Sequence, residues 1–123
     1  MRSDPTLKRW YRTINKRFFD NQLTNSVCVR WAEPEEDDDE RWEDKFFGSA
    51  SEASDGRHKY EIILSKKLNT KAAVRLTTLA HEMVHIATEL KDDHGPIFSA
   101  WHMRLTARGF FTKGALRKGL TIF

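Results

Sequence analysis

The chain has little cysteine and no long apolar run, and both scarcities narrow its class. Its 123 residues include one cysteine, Cys28, so neither an intramolecular disulfide nor a cysteine-rich zinc ribbon can form within them. Cys28 lies in an alternating apolar run, which favours a packed strand residue over a nucleophile. No apolar run approaches the roughly 20 residues that span a bilayer, and the first residues lack the apolar core of a signal peptide. We therefore expect one monomeric, cytoplasmic domain over residues 1–123, without membrane contact.

Acidic residues are scarce over most of the chain. Nine of the eighteen lie between Glu33 and Asp44, where Arg41 is the only basic residue, and none follows Asp93. The stretch 33–45 is too charged to be a buried element, so we expect a mobile loop there. Solubility is favoured as its role over the shielding of a basic cleft.

The rest of the chain is basic, with 20 Lys and Arg against 9 acidic residues, an excess of 11. DNA is therefore a candidate partner, since basic side chains that neutralise phosphates gain affinity through counterion release. An ordinary solvated surface explains the same excess equally well. If nucleic acid binds, the basic face of the first helix and five later residues are the expected contacts: Arg104, Arg108, Lys113, Arg117 and Lys118.

Apolar spacing predicts three helices. In the first, apolar residues recur at three- and four-residue intervals from Asp4 to about Asp20. From 70 to 90, they fall within an arc of about 160° around a helix. Pro96 suits the first turn of a third helix that runs to about residue 108, where Gly109 can cap it. The basic and apolar tail, 110–123, has no assignment.

Period-two alternation predicts strands over 27–31 and 58–65, and 46–51 is a third strand candidate. Asp55-Gly56 marks a turn between the last two. We expect an α+β domain in which a small, mostly antiparallel sheet of about three strands packs with the three helices.

The segment His81-Glu82-Met83-Val84-His85 lies well inside the second predicted helix. Residues four apart differ there by about 40° in azimuth, so both imidazoles can point at one metal ion. Glu82, about 100° further round than His81, can accept a proton from water as a general base instead of binding metal. Because the pattern alone arises by chance in roughly one such sequence per hundred, the helix and a third ligand are needed as support.

His94 is the best candidate for the third ligand of a catalytic zinc site, which leaves one position open. The eight residues after His85 let the chain turn back, and Gly95 permits the backbone conformations of such a turn. A metzincin is disfavoured, since Thr88 and Lys91 stand where that pattern has its Gly and its third His. A thermolysin-like site would need a glutamate from a later helix, and no acidic residue follows Asp93.

The sequence LAHEMVH at 79–85, followed by HGP at 94–96 and by Phe98, resembles the SprT-like zinc metalloprotease family. The likeness extends over roughly residues 7–109 and includes FGSA at 47–50. Two departures from Spartan-type members stand out. The stretch between the second and third ligands is shorter, and no zinc ribbon of the kind that often follows the catalytic domain is expected within these residues, since they contain one cysteine.

The resemblance implies a zincin-like fold and a metalloendopeptidase that cuts peptide bonds with one zinc ion. It assigns the zinc to His81, His85 and His94, and the catalytic base to Glu82. It also implies that the substrates are proteins bound or crosslinked to DNA. The competing hypothesis is a nucleic-acid or protein binding module that keeps a structural zinc and has little proteolytic activity.

The remaining histidines and tryptophans are expected to have other roles. His58 and His102 are expected to be structural or exposed rather than substrate contacts. Trp10 and Trp101 lie on apolar helix faces and are expected in the core. Trp42, beside the acidic stretch, is the tryptophan expected to be exposed.

Overall fold

The computed structural model describes residues 2–37, 47–70, 72–91 and 94–110. These residues form helix α1 (Pro5–Phe18), strands β1 (Val27–Trp31), β2 (Gly48–Glu52) and β3 (Tyr60–Leu64), a short 3-10 helix (Lys66–Thr70), and helices α2 (Ala72–Ala87) and α3 (Pro96–Ala107). Three helices and a three-stranded sheet confirm the α+β class. Within the described ranges, no helix is long and apolar enough to cross a membrane.

Helix α1 begins where the sequence predicts because Asp4 caps it. The Asp4 carboxylate accepts a hydrogen bond from the Leu7 N–H at 3.0 Å, and a proline occupies the first turn. The helix ends at Phe18, slightly before the predicted end, because Asp20 and Asn21 adopt left-handed backbone conformations.

Buried polar groups of α1 hold the segment that leads into β1. The Asn15 side chain donates to the Leu23 carbonyl and accepts from the Leu23 N–H, both at 3.0 Å. The Tyr11 hydroxyl donates to the Thr24 carbonyl at 2.7 Å, and burial raises the pKa of this hydroxyl above its usual value. Each bond satisfies a polar group that burial would otherwise make costly.

The sheet has the strand order β1–β3–β2, with β3 in the centre. β3 pairs antiparallel with β2 but parallel with β1. The expectation of a mostly antiparallel sheet is therefore correct for one pair and wrong for the other. The cause is the strand order, because the chain goes from β1 to the far edge as β2 and then returns through the centre as β3.

All five residues of β3 are buried, whereas alternation predicted one buried face. On the second face, Ile63 packs against Ala32 and Phe47. Glu61 is 8% exposed and accepts from the Arg30 guanidinium at 3.2 Å. Both faces of the central strand are thus covered, as in strands that have a parallel neighbour.

The described part of the acidic stretch, 33–37, is bound to the sheet region. Glu36 accepts two hydrogen bonds from the Arg30 guanidinium, at 2.7 and 2.9 Å. Asp37 accepts a hydrogen bond from the Ser65 hydroxyl at 2.6 Å. Bidentate Arg–carboxylate pairing thus anchors the start of the stretch to the sheet, which the sequence did not predict, while its mobility stays a prediction. Residues 38–45 lie outside the described ranges.

Helix α2 packs against β2, β3, α1 and α3. Its buried residues join the main core, which draws on every helix and on β1 and β3; representative members are Ile14, Val29, Ile62, Leu79, Met83 and Leu105. α2 ends three residues before the predicted end, and β2 and β3 differ from prediction by one or two residues at their ends. Gly109, with φ 84°, follows α3 and donates to the Thr106 carbonyl at 2.9 Å, which agrees with its predicted capping role.

Candidate metal centre

Helix α2 carries the HExxH segment, as predicted, but near its C-terminal end instead of well inside, since His85 lies in the last turn. The rings of His81 and His85 lie one turn apart, with centroids separated by 5.1 Å. His81 is 3% exposed, whereas His85 is half-buried. The helix thus places two imidazoles side by side where the core meets the surface.

The chain reverses direction directly after α2. The Thr88 hydroxyl and the Leu90 N–H both donate to the His85 carbonyl, each at 2.9 Å. Glu89 and Leu90 adopt left-handed backbone conformations, with φ of 55° and 63°. Such a conformation costs about 1–2 kcal/mol for a residue with a β-carbon. The packing of Leu90 against the core offsets part of that cost.

Gly95 does not supply the unusual backbone conformation that the sequence analysis assigned to it. It has φ −82° and ψ −163° and forms the N-cap of α3. The left-handed residues in this region are Glu89, Leu90 and His94, the last with φ 61°. Histidine tolerates positive φ better than most residues, so His94 can take this role. Residues 92–93 lie outside the described ranges.

The reversal brings His94 to the two histidines of α2. One ring nitrogen from each of His81, His85 and His94 lies within 4.8 Å of the other two. His94 Nε2 is 3.2 Å from His81 Nε2. Two imidazole nitrogens that bind one tetrahedral zinc ion at about 2.0–2.1 Å lie about 3.3–3.4 Å apart. The donor set and the spacing of His81 and His94 therefore fit a single metal ion, with a His85 nitrogen within 4.8 Å of both.

The three-histidine cluster opens to solvent on one side. Burial falls from His81 through half-buried His85 to exposed His94. Structural zinc sites are closed by four protein ligands, whereas catalytic sites keep a position open for water or substrate. The graded exposure agrees with the second kind.

Phe98, in the first turn of α3, packs against all three imidazoles. Its ring centroid lies 5.1, 4.7 and 4.8 Å from those of His81, His85 and His94. The Phe98 side chain is 5% exposed, so its position is set by the core. Phe98 was predicted only through the family resemblance. A sequence signal for its place is Pro96, which marks the first turn of α3 directly after the third histidine and puts Phe98 in that turn.

His102 lies beside the cluster, one turn after Phe98. Its ring centroid is 6.0 Å from that of His81 and 5.6 Å from that of Phe98. Burial, and secondarily the proximity of His94, lowers the pKa of His102 below the usual value. It is outside the group of three converging nitrogens. His102 is thus half-buried, as a structural residue would be, but its place next to the site was not predicted.

His58 has a structural partner in the turn before β3. Its Nδ1 lies 2.6 Å from Asp55 Oδ2. Asp55 also accepts from the backbone N–H groups of Arg57 and His58, at 2.9 Å each. These interactions, the His58 ring first, hold the pKa of Asp55 below its usual range. The expected structural role for His58 agrees with this geometry.

Glu82 lies on the α2 surface that faces β2 and is 1% exposed. Burial of a carboxylate is costly unless its interactions compensate for the loss of hydration. Packing alone therefore does not explain a glutamate here. Glu82 directly follows His81 on α2 and is not among the three histidines whose ring nitrogens converge.

Two of the five basic residues predicted to contact nucleic acid are engaged within the protein. The Arg108 guanidinium donates to both Asp20 carboxylate oxygens, at 2.7 and 2.9 Å. Arg104 also forms an ion pair with Asp20 and lies over the Trp101 ring, 5.0 Å from its centroid. These bonds tie the end of α3 to the end of α1. The other three, Lys113, Arg117 and Lys118, lie outside the described ranges.

The burial of two tryptophans and of the cysteine agrees with what their sequence context predicts. Trp10 and Trp101 are half-buried and pack against the core, and Trp101 stacks on Phe19 with centroids 5.1 Å apart. Cys28 is fully buried in β1, which confirms its role as a packed strand residue. Trp42 lies outside the described ranges.

One family model matches the chain, that of the SprT-like family, over residues 7–115. The match includes the three histidines, Glu82 and every strand. No curated protein and no solved structure matches the chain.

Proposed function

Because the chain belongs to the SprT-like family, we propose that it is a zinc-dependent metalloendopeptidase with a zincin-like fold. One observation carries the proposal: ring nitrogens of His81, His85 and His94 converge within 4.8 Å. Glu82, adjacent to the first of these histidines on α2, adds the carboxylate that hydrolysis needs.

The imidazoles of three residues would hold one zinc ion per chain: His81, His85 and His94. Imidazole nitrogen suits zinc, and three protein ligands are the usual number in a catalytic site. A bound zinc ion supplies Lewis acidity, which lowers the pKa of water and polarises a carbonyl. The exposed side of the cluster, next to His94, is where a peptide can approach.

Glu82 is the proposed general base. Its side chain leaves α2 about 100° round from that of His81, so it adjoins the ligand pair without joining it. From there it accepts the proton of the attacking water and returns it to the leaving amine. Shielding from bulk water strengthens the electrostatic interactions of this carboxylate with the reacting groups.

Proteins bound or crosslinked to DNA are the proposed substrates. The proposal rests on the family and on the basic excess outside the acidic stretch. Arg104 and Arg108 already pair with Asp20. A phosphate would therefore have to replace the Asp20 carboxylate to bind these two side chains.

The first test is the zinc content of the wild type and of His94→Ala after mild chelation. We expect about one zinc per chain in the wild type and much weaker binding in the variant. Proteolysis of a DNA-binding protein is then followed with and without DNA, using Glu82→Gln. This variant should keep its zinc and lose about 10²–10⁴-fold in turnover. Glu89→Gln is the control, because Glu89 is exposed beyond the end of α2.

A wild type without zinc, or a Glu82→Gln variant with unchanged proteolysis, overturns the metallopeptidase. If cleavage does not depend on DNA, the peptidase activity still stands, and the proposal that it acts on DNA-bound proteins fails.

A binding module with a structural zinc is the second candidate, and the position of His102 favours it. A fourth imidazole beside His81 could close the site against substrate. His102→Ala separates the two. A structural site should lose zinc affinity with this change, whereas the proposed peptidase should keep its zinc.

A further inference from the structure

Gly48 is a buried residue at the start of β2, where it pairs with Leu64 of β3. A β-carbon added at Gly48 would lie 2.8 Å from Thr78 Cγ2, 3.1 Å from Leu64 Cδ2 and 3.2 Å from Glu82 Cγ. Gly48 is not among the residues with positive φ. Its backbone therefore does not require glycine, and the requirement for a missing side chain is steric.

The two α2 residues that crowd this position have little freedom to move away. Thr78 and Glu82 lie one turn apart, so both face β2. Thr78 is fully buried and β-branched, and branching restricts its side-chain rotation within a helix. Leu64 would be contacted at the end of its side chain, where adjustment is easier. An added methyl group would therefore displace Thr78 and Glu82 or separate α2 from β2.

The contact with Glu82 falls at Cγ, next to its carboxyl group. A displacement of Cγ moves the carboxylate with it. The contact requires Cγ to move by a few tenths of an ångström. A misplacement of about 1 Å in a catalytic group can lower turnover by about 10²-fold, which sets the upper limit of the effect. The small size of residue 48 thus bears on where the carboxylate of Glu82 lies relative to the three-histidine cluster.

We propose that Gly48 is a positioning residue for Glu82: the missing side chain on β2 leaves the space that Glu82 occupies beside His81. This inference rests on the proposed function for the role of Glu82. The edge strand β2 thereby helps to position the proposed general base. None of its side chains is proposed to react.

The test compares wild type, Gly48→Ala, Thr78→Ser and the double variant Gly48→Ala/Thr78→Ser. Thr78→Ser removes Cγ2, the atom nearest to the added methyl group, and keeps the hydroxyl. Gly48→Ala should lower kcat by up to about 10²-fold, the upper limit for a misplaced catalytic group, with little change in KM. The double variant should recover most of that loss, because neighbouring sites are energetically coupled.

Two further measurements do not depend on turnover. The zinc affinity of Gly48→Ala should change by less than about 10-fold, because Glu82 is not a proposed ligand. A change of about 10-fold is what the loss of an outer-shell contact of a metal site costs. The ¹³C resonance of the Glu82 carboxyl group, assigned with Glu82→Gln, should shift in Gly48→Ala and return towards its wild-type position in the double variant. Ser49→Ala, on the next residue of β2, is the matched control and should leave both unchanged.

Each outcome decides the proposal. It is overturned if Gly48→Ala keeps wild-type kcat, or if Thr78→Ser does not relieve the loss. If Gly48→Ala does not fold, the double variant decides: it should fold, bind zinc and keep at least about a tenth of wild-type kcat, and a larger loss overturns the proposal. If the wild type cleaves nothing, the peptidase fails, while the carboxyl resonance alone still shows whether residue 48 sets the position of Glu82.

Discussion

Helix α2 and the reversal that follows it deliver the proposed ligands by different physical means. α2 aligns His81 and His85 through its 3.6-residue period, which every residue of the helix maintains. The reversal delivers His94 through left-handed backbone at Glu89, Leu90 and His94 itself, none of which is glycine. The regular helix aligns two ligands without backbone strain, whereas the third follows left-handed residues whose strain the surrounding packing must offset.

That difference predicts unequal losses of zinc affinity when single ligands are removed. His94→Ala leaves the pair that α2 aligns, whereas His81→Ala leaves one helix ligand and the ligand from the reversal. Each substitution should weaken zinc binding by more than about 100-fold, the upper range for loss of an outer-shell contact. The loss should be larger for His81→Ala than for His94→Ala. Competition with a chromophoric chelator measures both, with His58→Ala as the control. Equal losses would show that the helix pair is no better organised than the reversal.

Phe98 contacts histidines from both regions, so its replacement should have the next largest effect on zinc affinity. Phe98→Leu should reduce zinc affinity by about 10-fold, because the imidazoles lose the ring they share. Its free energy of unfolding should fall by about 1.5 kcal/mol or less, as for other swaps of similar volume. Leu105→Met, in the same helix and equally part of the core, should cost similar stability without a change in zinc affinity. If both variants bind zinc equally, Phe98 serves only the core.

Backbone strain in the reversal can be relieved at Glu89. Glu89→Gly should raise the free energy of unfolding by up to about 1 kcal/mol, since relief of the left-handed conformation outweighs the added flexibility of the unfolded chain. Lys91→Gly removes the same exposed Glu89–Lys91 ion pair at a residue without positive φ. It should instead lose about 0.5–1 kcal/mol. Urea unfolding checks both, and destabilisation by Glu89→Gly would mean that the reversal is not strained there.

The smallest effect is expected at the far end of α3, where Asp20 pairs with Arg104 and Arg108. The hydrogen bond from Arg108 is the main cause that holds the pKa of Asp20 below its usual value. The carboxylate therefore stabilises the fold above its unfolded-state pKa of about 3.9, and this contribution is lost as pH falls through the lower folded-state pKa.

Asp20→Asn should accordingly be less stable than the wild type at neutral pH, and the difference should disappear in acid. Thermal melting over a pH series measures it at low salt, because screening weakens an exposed pair. Arg108→Gln should give a similar neutral-pH loss and little further loss when combined with Asp20→Asn. A difference that persists in acid would assign the effect to something other than the carboxylate charge.

The sequence predicted the elements that rest on local rules. Asp4 and the following proline mark the start of α1, and β1 coincides with its predicted bounds. The spacing of His81, Glu82 and His85 predicted their relative directions on α2. The sheet was predicted less well, because its parallel pair comes from the order in which distant strands meet. The contacts of the described acidic residues were not predicted for a similar reason, since Arg30, which binds Glu36, lies in a strand.

Within the candidate site, residue order alone decides which side chains are available and how two of them align, because helical periodicity is a property of consecutive residues. The assembled fold decides the rest. Phe98 reaches three imidazoles, His102 lies beside His81, and Gly48 adjoins Glu82 only after α2, α3 and β2 have packed together. These contacts join residues from different elements, and their distances depend on packing that no local pattern encodes.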